Sequence, residues 1–478
     1  MLADLAARVA DLGVFYTDHG VLPRAALQPE GGALPPLSLH LLHGSRAFAA
    51  ALFALAALAA LALALGVRAR LAALVSWLLA VSLHHRNPAV LSGGDLLLAL
   101  LLLWSALALL DGDGDGDGDG YGYGRGARPA PARGAAARPL LSAGTVGLLF
   151  QVASVYLTAG LIKLIESPAW RDGVALALAG QDVSASPWIA ALGAHPILGR
   201  ALTWGVLGLE ILGPLLLFSP VRTGPVRAAV VLALLALQTG IALGLQVGIF
   251  PYVSAVALVV FVPPWLWDRL RVPLPRWAAR PRPRPVDVEA EPPLRGRERR
   301  ERFTAALIAL CAWTNLGSVI PAAGPPRPIA AALEWLGLAQ DWSMYVDLRE
   351  PSGWFHVKGV RPDGEEVPLL TGGAPLWIPE RGHPASAPLP ADARRYRDLR
   401  WHAYLGALAR RGDLRLLLAE HLCRVDAAAR PAVPMQRVEI RFACVFFCDG
   451  SADLPPPPAL ELVPCGDPAV TDARAAPP

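Results

Sequence analysis

Residues 226–267 read VRAAVVLALLALQTGIALGLQVGIFPYVSAVALVVFVPPWLW, and residues 268–302 continue DRLRVPLPRWAARPRPRPVDVEAEPPLRGRERRER. The first stretch holds two apolar blocks, 226–245 and 248–267, each near the ~20 residues that an α-helix needs to cross a bilayer. The second carries arginine repeatedly from Arg269 to Arg302. Apolar blocks ended by a basic connection are the pattern of a multi-pass membrane protein, and the basic side is the cytoplasmic one.

Working outward, further blocks of spanning length lie at 47–66, 140–163, 200–218 and 303–323. Two shorter ones, 71–84 and 95–110, flank the polar stretch HHRNPAVLSGGD at 84–95. The expected fold is an α-helical polytopic bundle of about eight membrane helices over residues 1–323. Alternation back from 268–302 puts 219–225 (Arg222, with Arg227 just inside the helix), 111–139 (Arg125, Arg128, Arg133, Arg138) and 67–70 (Arg68, Arg70) on the cytoplasmic side. The opposite loops, 84–94 and 164–199, are thinner in arginine. The helix at 303–323 then exits, so residues 324–455 are expected outside the cytoplasm, on the outer face of a bacterial inner membrane. Composition agrees: 54% of residues are hydrophobic and 17% charged, against roughly 25% charge in soluble domains. A net charge of +4 does not suggest a nucleic-acid partner. The start, MLADLAARVADLG, lacks the basic region and long apolar core of a signal peptide.

The segment DGDGDGDGDGYGYGRGARPAPARG at 111–134 is a low-complexity linker. Its Asp repeat mimics part of a calcium loop but lacks the Glu six residues after the Gly, which favours a spacer. Beyond residue 324 the composition turns ordinary. WFHVKGVRPDGEEVPLL at 354–370 reads as a β-hairpin around a Pro-Asp-Gly turn. Residues 392–425 read as helix, broken at Gly412, and VEIRFACVFF at 438–447 as a strand. A small α+β domain is expected, followed by a disordered Pro-rich tail at 456–478. Of the five cysteines, Cys444 and Cys448 lie about 13 Å apart if both sit in one strand, too far for a disulfide. No CxxC pair or metal-ligand spacing occurs.

Among ionisable residues within the apolar blocks, Lys163 is the most pointed. It lies near the outer end of its helix, where a charge in hydrocarbon is costly and so marks a candidate functional site. A partly desolvated lysine can serve as a base; the bland alternative is snorkelling, with the ammonium at the interface. The chain has only two lysines, Lys163 and Lys358, and uses arginine elsewhere, although arginine would snorkel equally well. Glu210 lies near the middle of its helix with no local basic partner. Its structural role is a polar contact between helices; its functional role is to pair with Lys163 or line a site. His84, His85, Arg86 and Asn87 form a polar turn before Gly93, Gly94 and Asp95. That turn is either cavity-lining or an interfacial loop. Trp170, Trp188 and Trp204 fit an aromatic belt.

Four segments resemble the signatures of the HTTM family, the horizontally transferred transmembrane domain that includes the vitamin K-dependent γ-glutamyl carboxylase. They are VFYTDHGVLPR (14–24), SLHHRNPAVLSGGD (82–95), YLTAGLIKLIESPAWRDG (156–173) and GIFPYV (248–253). AQDWSMYVDLREPSGWFHVKGVRPDGEEVPL (339–369) resembles the extracytoplasmic tail of bacterial members. The resemblance covers most of residues 13–450. It puts Lys163 on the lysine that deprotonates vitamin K hydroquinone, with Trp170, Asp172 and Gly173 on the pattern that follows. Glu210 falls where the carboxylase has an acidic residue. His85 and Asn87 lie in the segment that stands for the carboxylase's NNHSYLYG, without matching its register, and Gln238 stands where it has a histidine upstream of GMFSYV. The family usually completes a first helix before the point where this chain begins, so that helix is expected to be missing or cut off. By resemblance, a quinone or quinol is the implied cofactor or lipid-soluble substrate; γ-carboxylation is not carried over. Two functions compete: an enzyme with Lys163 as base on such a substrate, and a non-catalytic membrane scaffold or peptide-maturation and export assistant. Transport ranks third, with no inverted repeat in view.

Overall fold

A computed structural model describes residues 1–27, 37–111, 142–182, 185–270, 295–370, 398–446 and 460–466. The low-complexity spacer and most of the arginine-rich connection lie outside the described residues, as does most of the Pro-rich tail.

The chain opens with a short amphipathic helix, α1 (Leu2–Val9). Long helices follow: α2 (Arg46–Ala64), α3 (Ala69–Arg86), α4 (Gly93–Asp111), α5 (Ala143–Glu166), α6 (Pro196–Leu217) and α7 (Thr223–Gly244). Then come α8 (Phe250–Ala257) and α9 (Arg295–Val319). Local chemistry sets their starts. Ser45 caps α2 by accepting from the Phe48 amide, and Ser142 with Thr145 forms a reciprocal capping box at α5. The α2–α3 turn needs left-handed backbone, at Gly66 (φ +73°) and Arg68 (φ +42°).

Each of the eight apolar blocks overlaps helical chain among the described residues. Four helices, α2, α5, α6 and α7, are long and apolar enough to cross a membrane, and Gly93–Leu109 and Phe250–Phe261 are shorter apolar helices. Their exposed faces carry Leu55, Leu58, Leu212, Leu215, Leu232 and Val256, side chains suited to lipid. The block at 248–267 is not one helix. It tightens to a 3-10 turn at Leu258–Phe261 and breaks at Val262, which is extended. Pro263 and Pro264 are the reason, since proline lacks an amide donor and disfavours helical backbone before it. The buried centre is α5, packed by α4, α6 and α9.

The C-terminal part is α+β, as its sequence suggests. β1 (Ser352–Val360), β2 (Glu366–Pro368), β3 (Arg437–Phe446) and β4 (Glu461–Pro464) form an antiparallel sheet in the order β2-β1-β3-β4. Lys358 pairs with Pro368 across the hairpin and with Glu439 on β3. Between β2 and β3 come α10 (Leu399–Arg410) and α11 (Gly412–Ala429), broken where the sequence places Gly412. Asp398 caps α10 through the Arg400 and Trp401 amides. Leu408, Leu414 and Leu418 from the helices share a core with Val357, Val438 and Ile440.

Three expectations change. The tail expected to be disordered supplies β4, because Val463 is buried opposite Val438 and Cys465 is bonded to Cys423 on α11. Cys444 is also in a disulfide, with its partner outside the described residues. Finally, the chain does not leave the bundle at residue 324: Leu333, Leu338 and Trp342 are buried among Leu97, Leu100, Leu103 and Trp104 of α4.

Candidate functional site

Lys163 occupies the last turn of α5, and Glu210 the inner face of α6. Close approach of these helices depends on Gly160. A Cβ there would lie 2.8 Å from Ile211 and 3.0 Å from the Glu210 Cβ. The Lys163 Nζ therefore donates to both carboxylate oxygens of Glu210, at 2.6 and 2.7 Å. Both residues are 6% exposed, so the ammonium does not snorkel to an interface. A carboxylate lies within reach one helix away, and a buried charge of this kind persists because it is paired and hydrogen-bonded.

The indole of Trp170 lies over the same ammonium, 4.9 Å from ring centroid to Nζ. Trp170 sits in a one-turn helix, Pro168–Arg171, and its Nε1 donates to the Tyr345 carbonyl at 2.7 Å. It is 8% exposed, whereas Trp188 and Trp204 are 41% and 50% exposed.

The other residues singled out by sequence lie elsewhere. Asp172 is exposed and supports a helical turn through its amide, bonded to the Pro168 carbonyl. His85 sets Nδ1 2.9 Å from the Leu37 carbonyl and Nε2 3.3 Å from the Glu334 carbonyl, a ring with one N–H donating to one of the two. Asn87 is fully buried; it donates to the Phe15 carbonyl and accepts from the Ala89 amide. These two hold the α3–α4 turn against neighbouring chain. Gln238 donates to the Tyr156 hydroxyl at 3.1 Å. None joins the Lys163–Glu210 pair.

Sequence reading missed a buried ionic cluster between the bundle and the C-terminal domain. Arg8 bonds Asp4, Tyr16 and Asp95, and Arg400 bonds Asp4, Asp95 and the Val90 carbonyl. All four charged residues are at most 8% exposed. Two arginines against two carboxylates neutralise one another, and they tie α1, the start of α4 and α10 together. Around them Phe15 packs on Trp401 and Tyr404, with ring centroids 5.0 and 5.5 Å away. The available signal was Asp4 and Arg8, four residues apart on the apolar side of α1 with Leu5. Nearby, burial with Arg86, Arg8 and His84 pushes His40 down to about 4, so it is neutral at pH 7. Asp18 would be raised by burial, but hydrogen bonds from Arg24 hold it below the usual carboxylate value.

A quinone does not fit at Lys163 in this conformation. Both oxygens of Glu210 take the ammonium, Trp170 covers it, and Gly160 brings the helices into contact. A partly open cavity of about 10 Å³, room for one water, lies instead between α1, α2 and α3 against Asp4, His40, Phe53 and His84. Among the described residues no cluster of three or more His, Cys, Asp or Glu could hold a metal.

A family model described as HTTM domain matches residues 139–266, a stretch that contains Lys163, Trp170, Glu210 and Gln238. No curated protein and no solved structure matches the chain.

Proposed function

The chain carries an HTTM domain at residues 139–266, and from that premise we propose that it is a non-catalytic membrane scaffold. In this reading eight helices cross the inner membrane of a bacterium and hold the C-terminal domain on the extracytoplasmic face, where it engages a peptide in maturation or export. The observation that carries it is the closed Lys163–Glu210 pair, which spends both carboxylate oxygens on one ammonium. A base must instead present a free amine to a substrate.

Further observations support the arrangement. The Cys423–Cys465 disulfide fits an oxidising compartment outside the cytoplasm. The α3–α4 turn, expected on the outer side, touches the C-terminal part through His85 with Glu334 and Arg400 with Val90. The ionic cluster and its aromatic surround bridge that junction.

A second reading, Lys163 as base toward a quinol or other lipid-soluble substrate, is favoured by one observation. Lysine fills this position in a chain that otherwise uses arginine almost throughout. The readings separate in a double variant, Lys163→Met with Glu210→Leu, expressed in a deletion strain. A scaffold retains function, since an apolar pair of similar volume replaces the ion pair. Loss of function at unchanged abundance and melting favours the base.

A further inference from the structure

The chain between α9 and β1 does something that neither reading of the Lys163–Glu210 pair requires. After a short helix, Arg327–Trp335, it runs without regular structure along the bundle. Leu338, Gln340 and Trp342 point inward and are buried, while Asp341 and Ser343 are exposed. Gln340 exchanges amide hydrogen bonds with Gln151 of α5, at 2.9 and 3.3 Å. Its Oε1 also accepts from the Trp342 indole, 3.1 Å away, and that indole reaches Asn315 of α9 at 3.1 Å. Trp104 of α4 donates to Gln151 at 3.1 Å. Non-helical chain beside membrane helices is tolerated where its polar groups are satisfied by protein, and it is a common site of movement.

Two left-handed residues bracket the stretch, Gly337 at φ +68° and Tyr345 at φ +60°. Tyr345 is strained there, as any residue with a Cβ is, and strain of this kind gathers at switching segments. Its carbonyl is the acceptor for Trp170, the ring that covers Lys163. The stretch is thus joined to the pair through one hydrogen bond and one ring.

We propose that residues 338–345 form a displaceable strap that, through the Tyr345 carbonyl, pins Trp170 over Lys163, so that access to the Lys163–Glu210 pair from the outer face requires the strap to lift. Its hold is the amide network of Gln151, Gln340, Asn315 and Trp342. The proposal is independent of whether the pair is a pin or a base.

The chain's two lysines allow a direct test. The full-length protein in detergent is treated with N-hydroxysuccinimidyl acetate, and acetylation of Lys163 and Lys358 is followed by peptide mass spectrometry. Lys358 is on the surface of the sheet and serves as the internal reference. In the wild type, Lys163 should react at least tenfold more slowly than Lys358. Gln340→Ala, and Trp342→Phe, which keeps the ring but loses its N–H, should each raise the Lys163 rate about tenfold and leave Lys358 unchanged. Unchanged Lys163 rates in both variants would overturn the proposal. If a variant unfolds, the wild type decides alone. Strap lifting gives Lys163 acetylation that is insensitive to low denaturant, whereas acetylation that tracks global unfolding at every denaturant concentration contradicts it.

Discussion

The ammonium of Lys163 lies 2.6 Å from Oε1 and 2.7 Å from Oε2 of Glu210, joining α5 to α6 inside the stretch that the HTTM-domain model matches. Neither partner has another side-chain hydrogen bond among the described residues, so removing one leaves the other charged and alone in an apolar setting. Glu210→Leu and Lys163→Met should each lower stability in detergent by about 3–5 kcal/mol, and the double variant by much less. Chemical denaturation of the four proteins checks this. Additive losses would mean that the pair is not coupled.

The ionic cluster should behave as one unit. Arg400→Met leaves Asp4 and Asp95 short of a cation, and Asp95→Asn leaves Arg8 and Arg400 short of an anion. Each should cost about 3–5 kcal/mol and loosen the C-terminal domain from the bundle. Limited proteolysis should then cut near residues 336–352 sooner than in the wild type. An unchanged cleavage rate would show that the aromatic packing around Phe15 suffices without the charges.

His40 gives the protein a pH dependence of definite sign. Its folded value of about 4 lies below its ordinary 6.5, so between these limits the unfolded chain binds more protons. Stability is therefore present above pH 6.5 and is lost as pH falls toward 4, by at most about 3 kcal/mol. Melting followed from pH 7 to 4.5 should show a smaller decline for His40→Gln. Parallel curves for the two proteins would assign the acid sensitivity elsewhere.

The disulfide between Cys423 and Cys465 closes 42 residues of chain and should contribute about 4 kcal/mol by restricting the unfolded state. Cys465→Ala should release β4 and expose Val463. Hydrogen exchange at β3 amides next to β4 reads this directly. Protection equal to wild type would show that β4 holds its place without the bond.

Membrane topology is open to reporter fusions. A reporter active only outside the cytoplasm should be on when fused after residue 323 and off when fused within 275–300. The same state at both positions would overturn the orientation read from arginine.

Much of this was legible in the sequence for physical reasons. Apolar blocks near spanning length recur as helices because backbone groups in hydrocarbon must bond internally. The Pro-Asp-Gly turn at 362–364 and Gly412 marked the hairpin and helix break through local backbone preference. What escaped were contacts made far along the chain. Arg400 meets Asp4 and Asp95 across some three to four hundred residues, and Gln340 meets Gln151 across 189. No local pattern announces such partners. Lys163 and Glu210 were visible singly, because a charge in an apolar run stands out. Their union was one of two roles open to Glu210, and the glycine at 160 that lets the helices approach so closely is not marked out by any local pattern.

The central claim, that Lys163 serves as a pin rather than a base, rests most directly on Lys163→Arg. Guanidinium can keep a bidentate pair with Glu210 but cannot give up its proton near neutral pH. The measurement is complementation of a deletion strain by this variant at matched membrane abundance. The scaffold account predicts full or nearly full rescue. Abolished function in a variant that inserts and melts like the wild type would contradict it and make Lys163 a base.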